Sequence, residues 1–187
     1  SPFEAVCTAF GTVGTGGFGV RNDSIAGYSP YIQNVCTVFM LLCGVNFSCF
    51  YLVLVKEFKS ILKDEELRLY LGLIIGSVVL ITLNLGNFYS TLGETVRHAA
   101  FQVVTIITTT GFATTDYELW PGFSKAILLV LMVIGASAGS TGGGFKCSRA
   151  LLVLKSLRRS VRKIVHPQKV QAVRINGHPV DEKVLQN

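Results

Sequence analysis

The sequence predicts an all-α membrane protein built from helix–pore-loop–helix repeats, with re-entrant half-helices and one broken transmembrane helix. Half of the 187 residues are hydrophobic and only 15% are charged, against about 25% charged residues in a typical soluble domain. A Thr/Gly motif occurs twice, 94 positions apart, between apolar segments. A glycine-rich stretch at 135–144 interrupts the last long apolar segment.

The basic residues are concentrated in two connections. Fourteen of the 17 Lys and Arg residues lie in 56–68 and 146–183, and such alternation predicts that these connections are cytoplasmic. Nucleic-acid binding is the alternative for the basic run 155–163, but its place directly after an apolar helix favours the membrane. The five cysteines include no CxxC pair, so we predict neither a disulfide nor a zinc site.

Residues 1–55 are predicted to form a pore helix, a filter and an outer helix. The chain begins at Ser1 inside the predicted pore helix, so we expect it to be a fragment. The 25 residues from Tyr31 to Val55 are almost continuously apolar, interrupted by Asn46 and Ser48. That length crosses a hydrocarbon core, which needs ~20 helical residues. A charged linker at 56–66 is then predicted to be a short cytoplasmic turn.

Residues 67–157 are predicted to form the next helix–pore–helix repeat. Its first span runs from Leu67 to Leu85 and ends near Asn84, Asn87 and Tyr89. The apolar stretch that follows has only about 15 residues, too few to cross the ~20-residue core, and it runs directly into the second Thr/Gly motif. A re-entrant half-helix explains both facts, because irregular backbone at membrane depth persists only inside protein or along a water-filled cavity.

The last apolar segment is predicted to break. From Phe123 to Leu157 it has 35 residues, and five of the ten residues at 135–144 are glycine. Each glycine costs a helix up to ~1 kcal/mol against alanine, so two helices joined by a loop are expected. Residues 158–187 are predicted to be a cytoplasmic link, with a turn at Asn176-Gly177.

The two Thr/Gly motifs are candidate ion-filter segments. The first Thr/Gly loop contains Thr15-Gly16-Gly17-Phe18, and the second contains Thr109-Thr110-Gly111-Phe112. Glycine lets the backbone turn its carbonyls toward an ion and replace the hydration shell. A glycine-rich turn capping a packed helix is the alternative, and the duplication favours a filter. The predicted roles are carbonyl donation by Thr15, Gly16, Thr109 and Thr110, turning at Gly17 and Gly111, and packing behind the loops by Phe18 and Phe112.

The stretch 135–144, here the glycine loop, is a candidate gate. A broken helix that lines a cavity commonly serves function, and a polar loop against a filter could obstruct the path. A kink that eases helix packing is the alternative. The candidate gating residues are Gly135, Gly139, Ser140, Thr141, Gly142, Gly143 and Gly144.

Two glycine patterns imitate nucleotide-binding motifs. Residues 14–19 match GxGxxG, but no strand is predicted before them and no helix directly after them. Residues 139–146 resemble a phosphate loop, yet Phe145 separates Gly144 from Lys146, and Cys147 replaces the required Ser or Thr. The apolar spans hold no cluster of acid, base and nucleophile, so no catalytic residues and no enzyme are predicted.

Longer segments carry a family resemblance. TTTGFATTDYELWPGF followed by GASAGSTGGGFK resembles the third of four helix–pore–helix repeats in the TrkH/Ktr/HKT superfamily of potassium transporters, with the bacterial TrkH branch the most similar. TVGTGGFG with the span at 31–55 resembles the pore loop and outer helix of the second repeat. HPQKVQAVRINGHPV resembles the link to the fourth repeat.

The resemblance implies potassium uptake across the bacterial inner membrane through a gated filter. K⁺ would be the transported ion, with no covalently bound cofactor. Each of four repeats would give one filter glycine, here Gly17 and Gly111, and the glycine loop would be the family's gating loop. The implied partners are the missing first and fourth repeats, a second copy in a homodimer, membrane lipid, and a TrkA-type cytoplasmic nucleotide-binding regulator that contacts 146–163; nucleic acid is not among them.

Two other functions remain open on the sequence alone. A sodium-permeable or mixed Na⁺/K⁺ transporter of the same superfamily would have similar loops. In a nucleotide-binding membrane signalling subunit, the glycine-rich loops would bind a nucleotide. A basic membrane scaffold would leave the duplicated motif unexplained.

Overall fold

The computed structural model describes residues 1–86, 88–165, 174–175 and 178–179, with side chains as far as Arg162 in the last helix. Asn87, the predicted turn at Asn176-Gly177 and most of the predicted link 158–187 therefore lie outside the described residues. The described chain is helical apart from one antiparallel pair of two-residue strands, β1 and β2. The elements are α1 (Pro2–Val13), α2 (Pro30–Cys43), α3 (Phe47–Leu54), α4 (Phe58–Lys63), α5 (Glu65–Leu85), α6 (Leu92–Ile107), a 3₁₀ helix (Tyr117–Leu119), α7 (Gly122–Ile134), α8 (Cys147–Val165), β1 (Arg174–Ile175) and β2 (His178–Pro179).

The short helix α6 lies at the centre of the fold. It packs against α2, α5 and α7, and Phe101, Val103 and Ile107 have no exposed surface. Thr91 caps its first turn through the Glu94 amide. A buried helix of 16 residues, fewer than the ~20 needed to cross the hydrocarbon core, is the arrangement predicted for a re-entrant half-helix.

The helix α5 has the length and composition of a membrane span. Among the described residues it is the one unbroken helix long and apolar enough to cross a bilayer, and the number of such spans is two only if the bent pair α2–α3 is counted as one span. Ile75, Val79 and Leu83 follow one another along its exposed face. Apolar side chains on the outer face of a helix suit contact with lipid.

The segment predicted as one crossing, Tyr31 to Val55, is bent. The helix α2 ends at Cys43, α3 begins at Phe47, and their axes differ by 91°. Asn46, the polar interruption of this segment, lies at the break: its side chain accepts a hydrogen bond from the Ser48 amide and caps α3. Side-chain capping of a helix start offsets the loss of intrahelical bonds at the break.

The linker at 56–66 also differs from the predicted turn. Its centre forms the short helix α4, and Glu65 and Glu66 already belong to α5. Asp64 caps α5 by accepting from the Leu67 amide at 3.0 Å. Farther along, α7 ends at Ile134 and α8 begins at Cys147, so the last apolar segment does break around the glycine loop.

Candidate functional site

The two Thr/Gly loops share one backbone conformation. Thr15 and Thr109 have φ angles of 48° and 56°, and Gly17 and Gly111 have φ angles of 69° and 85°. Left-handed backbone is rare for β-branched residues and costs of order 1–3 kcal/mol unless the surroundings impose it. Its occurrence at both threonines, 94 positions apart, shows that the repeat extends to conformation.

The hydrogen bonds that end the approach helices repeat as well. The amides of Gly16 and Gly17 donate to the Gly11 carbonyl at 2.9 and 3.4 Å. In the second loop the two equivalent amides donate to the Thr105 carbonyl at the same distances, 2.9 and 3.4 Å. Each loop therefore leaves the last turn of its helix in the same way, with the C-terminal end of the helix directed into the loop.

The two loops lie side by side. A Cβ atom on Gly17 would lie 1.8 Å from the Thr110 carbonyl oxygen, so only glycine permits this approach. Where the loops leave the site, the Ala113 amide donates to Ser24 Oγ at 3.1 Å and the Ile25 amide donates to the Ala113 carbonyl at 3.1 Å. This adjacency is what two filter segments around a shared axis require.

The two phenylalanines occupy different environments. Phe112 is 1% exposed, and its ring lies 3.0 Å from where a Cβ on Gly11 would be. Phe18 is 86% exposed and does not pack behind its loop as predicted. The physical reason is that Phe112 inserts against Gly11 of α1, whereas no element among the described residues covers the Phe18 ring.

The glycine loop contacts both Thr/Gly loops through equivalent threonines. Thr15 Oγ1 lies 2.9 Å from the Thr141 carbonyl, to which it donates. The Gly143 amide donates to Thr109 Oγ1 at 2.6 Å. The structure thus brings the predicted gating residues against the predicted filter residues, and it does so with the same side chain in each copy of the motif.

Close packing explains several glycines of this loop. A Cβ on Gly142 would lie 3.0 Å from the Thr108 carbonyl, and one on Gly143 would lie 2.9 Å from Thr109 Oγ1. Gly135 and Gly144 stack on each other, since a Cβ on Gly144 would lie 2.7 Å from the Gly135 Cα. Ser140 closes the loop by donating to the Ser137 carbonyl at 2.6 Å.

The glycine loop also fills the break between α2 and α3. The Ser137 amide donates to the Gly44 carbonyl at 3.1 Å, and Thr141 Oγ1 donates to the Cys43 carbonyl at 3.3 Å. In return the Phe47 amide donates to the Gly139 carbonyl at 3.0 Å. Each broken helix therefore supplies hydrogen-bond partners for backbone groups of the other, as buried backbone requires.

Glu66 is a site residue that the sequence did not reveal. It is 8% exposed, and its Oε1 accepts hydrogen bonds from the amides of Ala138 and Ser148 at 2.6 and 3.0 Å. Lys146 was noted in the sequence as part of the phosphate-loop pattern, and in the structure its ammonium group donates to the Gly142 carbonyl. Glu66 belongs to a charged run that suggested a solvated connection, so no sequence signal distinguished it.

A polar network supports the far end of the second Thr/Gly loop. His98 Nδ1 lies 3.0 Å from Thr114 Oγ1, and the imidazole stacks on Tyr89 with ring centroids 4.9 Å apart. The Tyr89 hydroxyl pairs with Thr115 Oγ1 and accepts from Trp120 Nε1, both at 3.1 Å. In the first repeat Arg21 Nε and Glu4 Oε1, 3.5 Å apart, occupy positions 94 before Thr115 and His98.

The oxygen atoms available to an ion at this site belong to backbone and threonines. Among the described residues no group of three or more His, Cys, Asp or Glu side chains could hold a metal ion. Carbonyl and hydroxyl oxygens are ligands suited to alkali cations. The GxGxxG pattern at 14–19 follows the helix α1, whereas a dinucleotide site needs a strand there.

Comparison with known proteins agrees with this geometry. The TrkH family, described as cation transport protein, matches residues 1–187. The Trk system potassium uptake protein TrkH of Escherichia coli K12 is 36% identical over 188 residues, covering 98% of this chain and 39% of that protein. The Trk system potassium uptake protein TrkG of the same strain is 30% identical over 189 residues, covering 99% of this chain and 39% of that protein.

A solved structure matches the fold. The crystal structure of the potassium transporter TrkH from Vibrio parahaemolyticus superposes with a TM-score of 0.92 at 31% identity, covering 100% of this chain and 41% of that one. The chain thus spans about two fifths of the length of these relatives. A family match along the whole sequence and a shared arrangement of helices and loops lead to one assignment: the chain belongs to the TrkH family of cation transport proteins, inner-membrane transporters rather than enzymes.

Proposed function

We propose that the complete protein takes up K⁺ across the bacterial inner membrane through a gated, channel-like filter. In this proposal the carbonyls of Thr15, Gly16, Thr109 and Thr110 replace part of the ion's hydration shell, and Gly17 and Gly111 permit the turn. The other two quarters of the filter come from repeats outside these 187 residues. K⁺ is the transported substrate.

The observation that supports the filter is the repeated left-handed conformation of the two adjacent Thr/Gly loops. The same φ signs and the same helix-end bonds in both loops support a ring of equivalent coordinating oxygens. The helices α1 and α6 direct their C-terminal, partially negative ends into these loops, which favours a cation.

The observation that supports a gate is the contact of the glycine loop with Thr15 and Thr109. One hydrogen bond joins the loop to each threonine, and such a bond contributes a net stability of about 1 kcal/mol. Withdrawal of the loop tip would break these two bonds and the bond from Thr141 to the Cys43 carbonyl. In this proposal the gating residues are Gly135, Gly139 and 140–144.

The partners follow from the same proposal. The complete protein would act as a homodimer, and a TrkA-type cytoplasmic nucleotide-binding regulator would control the glycine loop. The basic helix α8, which directly follows the loop, is a suitable contact for such a regulator. The Trk system names of the relatives from Escherichia coli support a role within that system.

A filter test uses glycine-to-serine substitutions in the complete protein. Gly17→Ser and Gly111→Ser should lower the ratio of K⁺ to Na⁺ flux into liposomes, because serine disfavours φ near +70° and displaces the neighbouring carbonyls. Unchanged selectivity in both variants would refute a filter at these loops. A wild-type protein that conducts Na⁺ as readily as K⁺ would support the sodium-permeable alternative.

A gate test removes residues 139–144 from the complete protein. A gating loop predicts higher flux that responds less to the regulator, whereas a packing kink predicts lost folding or unchanged flux. Size-exclusion profiles and melting temperatures of the purified variant distinguish misfolding from a flux effect.

A further inference from the structure

We propose that Glu66 is a positioning residue that anchors the glycine loop and the start of α8 to α5. This inference rests on the proposed function of the glycine loop as a gate. One carboxylate oxygen, Oε1, accepts from the Ala138 amide at 2.6 Å and from the Ser148 amide at 3.0 Å. These two amides lie on either side of the segment 139–147, so Glu66 joins the glycine loop, at Ala138, to the first turn of α8.

The need for such an acceptor follows from the structure of α8. The first amides of any α-helix have no intrahelical partner. In α8 the Cys147 amide donates to the Ala136 carbonyl at 2.9 Å, and the Ser148 amide donates to Glu66. A negative group at a helix N-terminus is favourable, so Glu66 caps α8 from a different helix.

The Glu66 anchor and the tip contacts hold the loop at different places. The amides of Ala138 and Ser148 share the charged acceptor at Glu66, and charge-assisted hydrogen bonds are about twice as strong as neutral ones. The tip at 141–143 is held by the hydroxyl groups of Thr15 and Thr109, the Cys43 carbonyl and the Lys146 ammonium group. Because Ala138 and Ser148 flank the tip, loss of Glu66 would loosen the loop at its base and favour withdrawal of the tip.

A second contact joins the same two helices. Lys155 Nζ lies 2.5 Å from Glu65 Oε2, which links α8 to α5 about two turns beyond Ser148. A displacement of α8 relative to α5 would strain both contacts, but only Glu66 would transmit that strain to the loop. Glu66 thus couples the position of α8 to the position of the candidate gate.

The test measures backbone hydrogen exchange in the complete protein. Glu66→Ala should accelerate exchange in peptides covering 135–148, because Ala138 and Ser148 lose their acceptor. Glu66→Gln should accelerate exchange less than Glu66→Ala, since its amide oxygen can accept both bonds but lacks the negative charge, and Glu66→Asp should also be intermediate because its side chain is one methylene shorter. Glu65→Gln is the matched control, which removes the Lys155 ion pair and should leave the loop protected.

Flux measurement gives the functional outcome. Glu66→Ala should raise flux without the regulator about fivefold or more, the effect of losing roughly one strong hydrogen bond, while Glu65→Gln should not. Unchanged exchange at 135–148 in Glu66→Ala would overturn the anchor, as would an equal increase over all helices, which indicates general destabilisation. Faster local exchange combined with unaltered flux in the 139–144 deletion would support the anchor and refute the gate.

Discussion

At Thr15 and Thr109 a strained backbone and a useful hydrogen bond occur together. Both residues have positive φ, and a β-branched side chain in that region costs of order 1–3 kcal/mol. The conformation directs each hydroxyl group to the glycine loop, at Thr141 and Gly143 respectively. The threonines therefore connect the candidate filter to the candidate gate, a role beyond the carbonyl donation predicted from sequence.

Replacement of these threonines by valine isolates that role. Thr15→Val and Thr109→Val keep the branched shape and remove the hydrogen bond, which lowers the stability of the closed loop by about 1 kcal/mol each. We expect about fivefold higher unregulated flux for each variant, measured in liposomes. Thr37→Val is the control, because the Thr37 hydroxyl donates within α2 to the Gln33 carbonyl. Equal flux in all three variants would contradict the connection.

At the scale of elements, two broken helices complete each other. The break between α2 and α3 offers the carbonyls of Cys43 and Gly44 to the glycine loop. Gly44 also packs against α5 and the end of α6, since a Cβ there would lie 2.2 Å from Tyr70 Oη and 2.8 Å from Thr108 Cγ2. The break between α2 and α3 thus contacts the glycine loop, α5 and the end of α6.

Alanine at Gly44 should disturb this junction. The added Cβ displaces Tyr70, whose hydroxyl donates to the Leu41 carbonyl at 3.0 Å. We expect a lower melting temperature in detergent and faster hydrogen exchange at 135–148. Gly72→Ala is the control, because a Cβ at Gly72 meets no atom within 4 Å and alanine favours the helix by up to ~1 kcal/mol. A Gly44→Ala protein as stable as the Gly72→Ala protein would contradict this packing.

The sequence predicted the type of each long element better than its direction. The family and the all-α fold class are confirmed, and the segment at 135–144 interrupts its helix because glycine runs act locally on backbone. The 91° bend at 44–46 was missed because an apolar composition reports the environment of a helix and not its axis. Glu66 was missed because only tertiary packing decides whether a charged residue at a helix start is solvated or capping a neighbour.

At the scale of the whole molecule, the two repeats contact each other through different residues of the same motif. Phe112 of the later repeat packs on Gly11 of the earlier one, and Gly17 of the earlier repeat approaches Thr110 of the later one. If the proposed repeats are arranged by rotation, the same contacts recur between each pair of neighbours. Phe18 is then expected to pack on another repeat of the complete protein.

This rotational arrangement predicts equal energetic roles for the two phenylalanines in the complete protein. Phe112→Ala should lower the unfolding free energy by about 3–5 kcal/mol, the usual cost of deleting a buried aromatic ring. Phe18→Ala should cost a similar amount there, although its ring is 86% exposed in this chain. Thermal unfolding of both variants checks the prediction. A neutral Phe18→Ala beside a destabilising Phe112→Ala would show that the repeats do not pack in rotation.

The mutual support of the two breaks has a consequence for biogenesis. Thr141 and the Cys43 carbonyl that it reaches are separated by 98 positions in the chain. A ribosome that makes about 5–20 residues per second needs several seconds to supply the later partner. During that interval the Cys43 and Gly44 carbonyls lack the donors that the glycine loop supplies, and buried backbone groups need other hydrogen-bond partners. Late arrival of the glycine loop would then complete an already inserted helix pair.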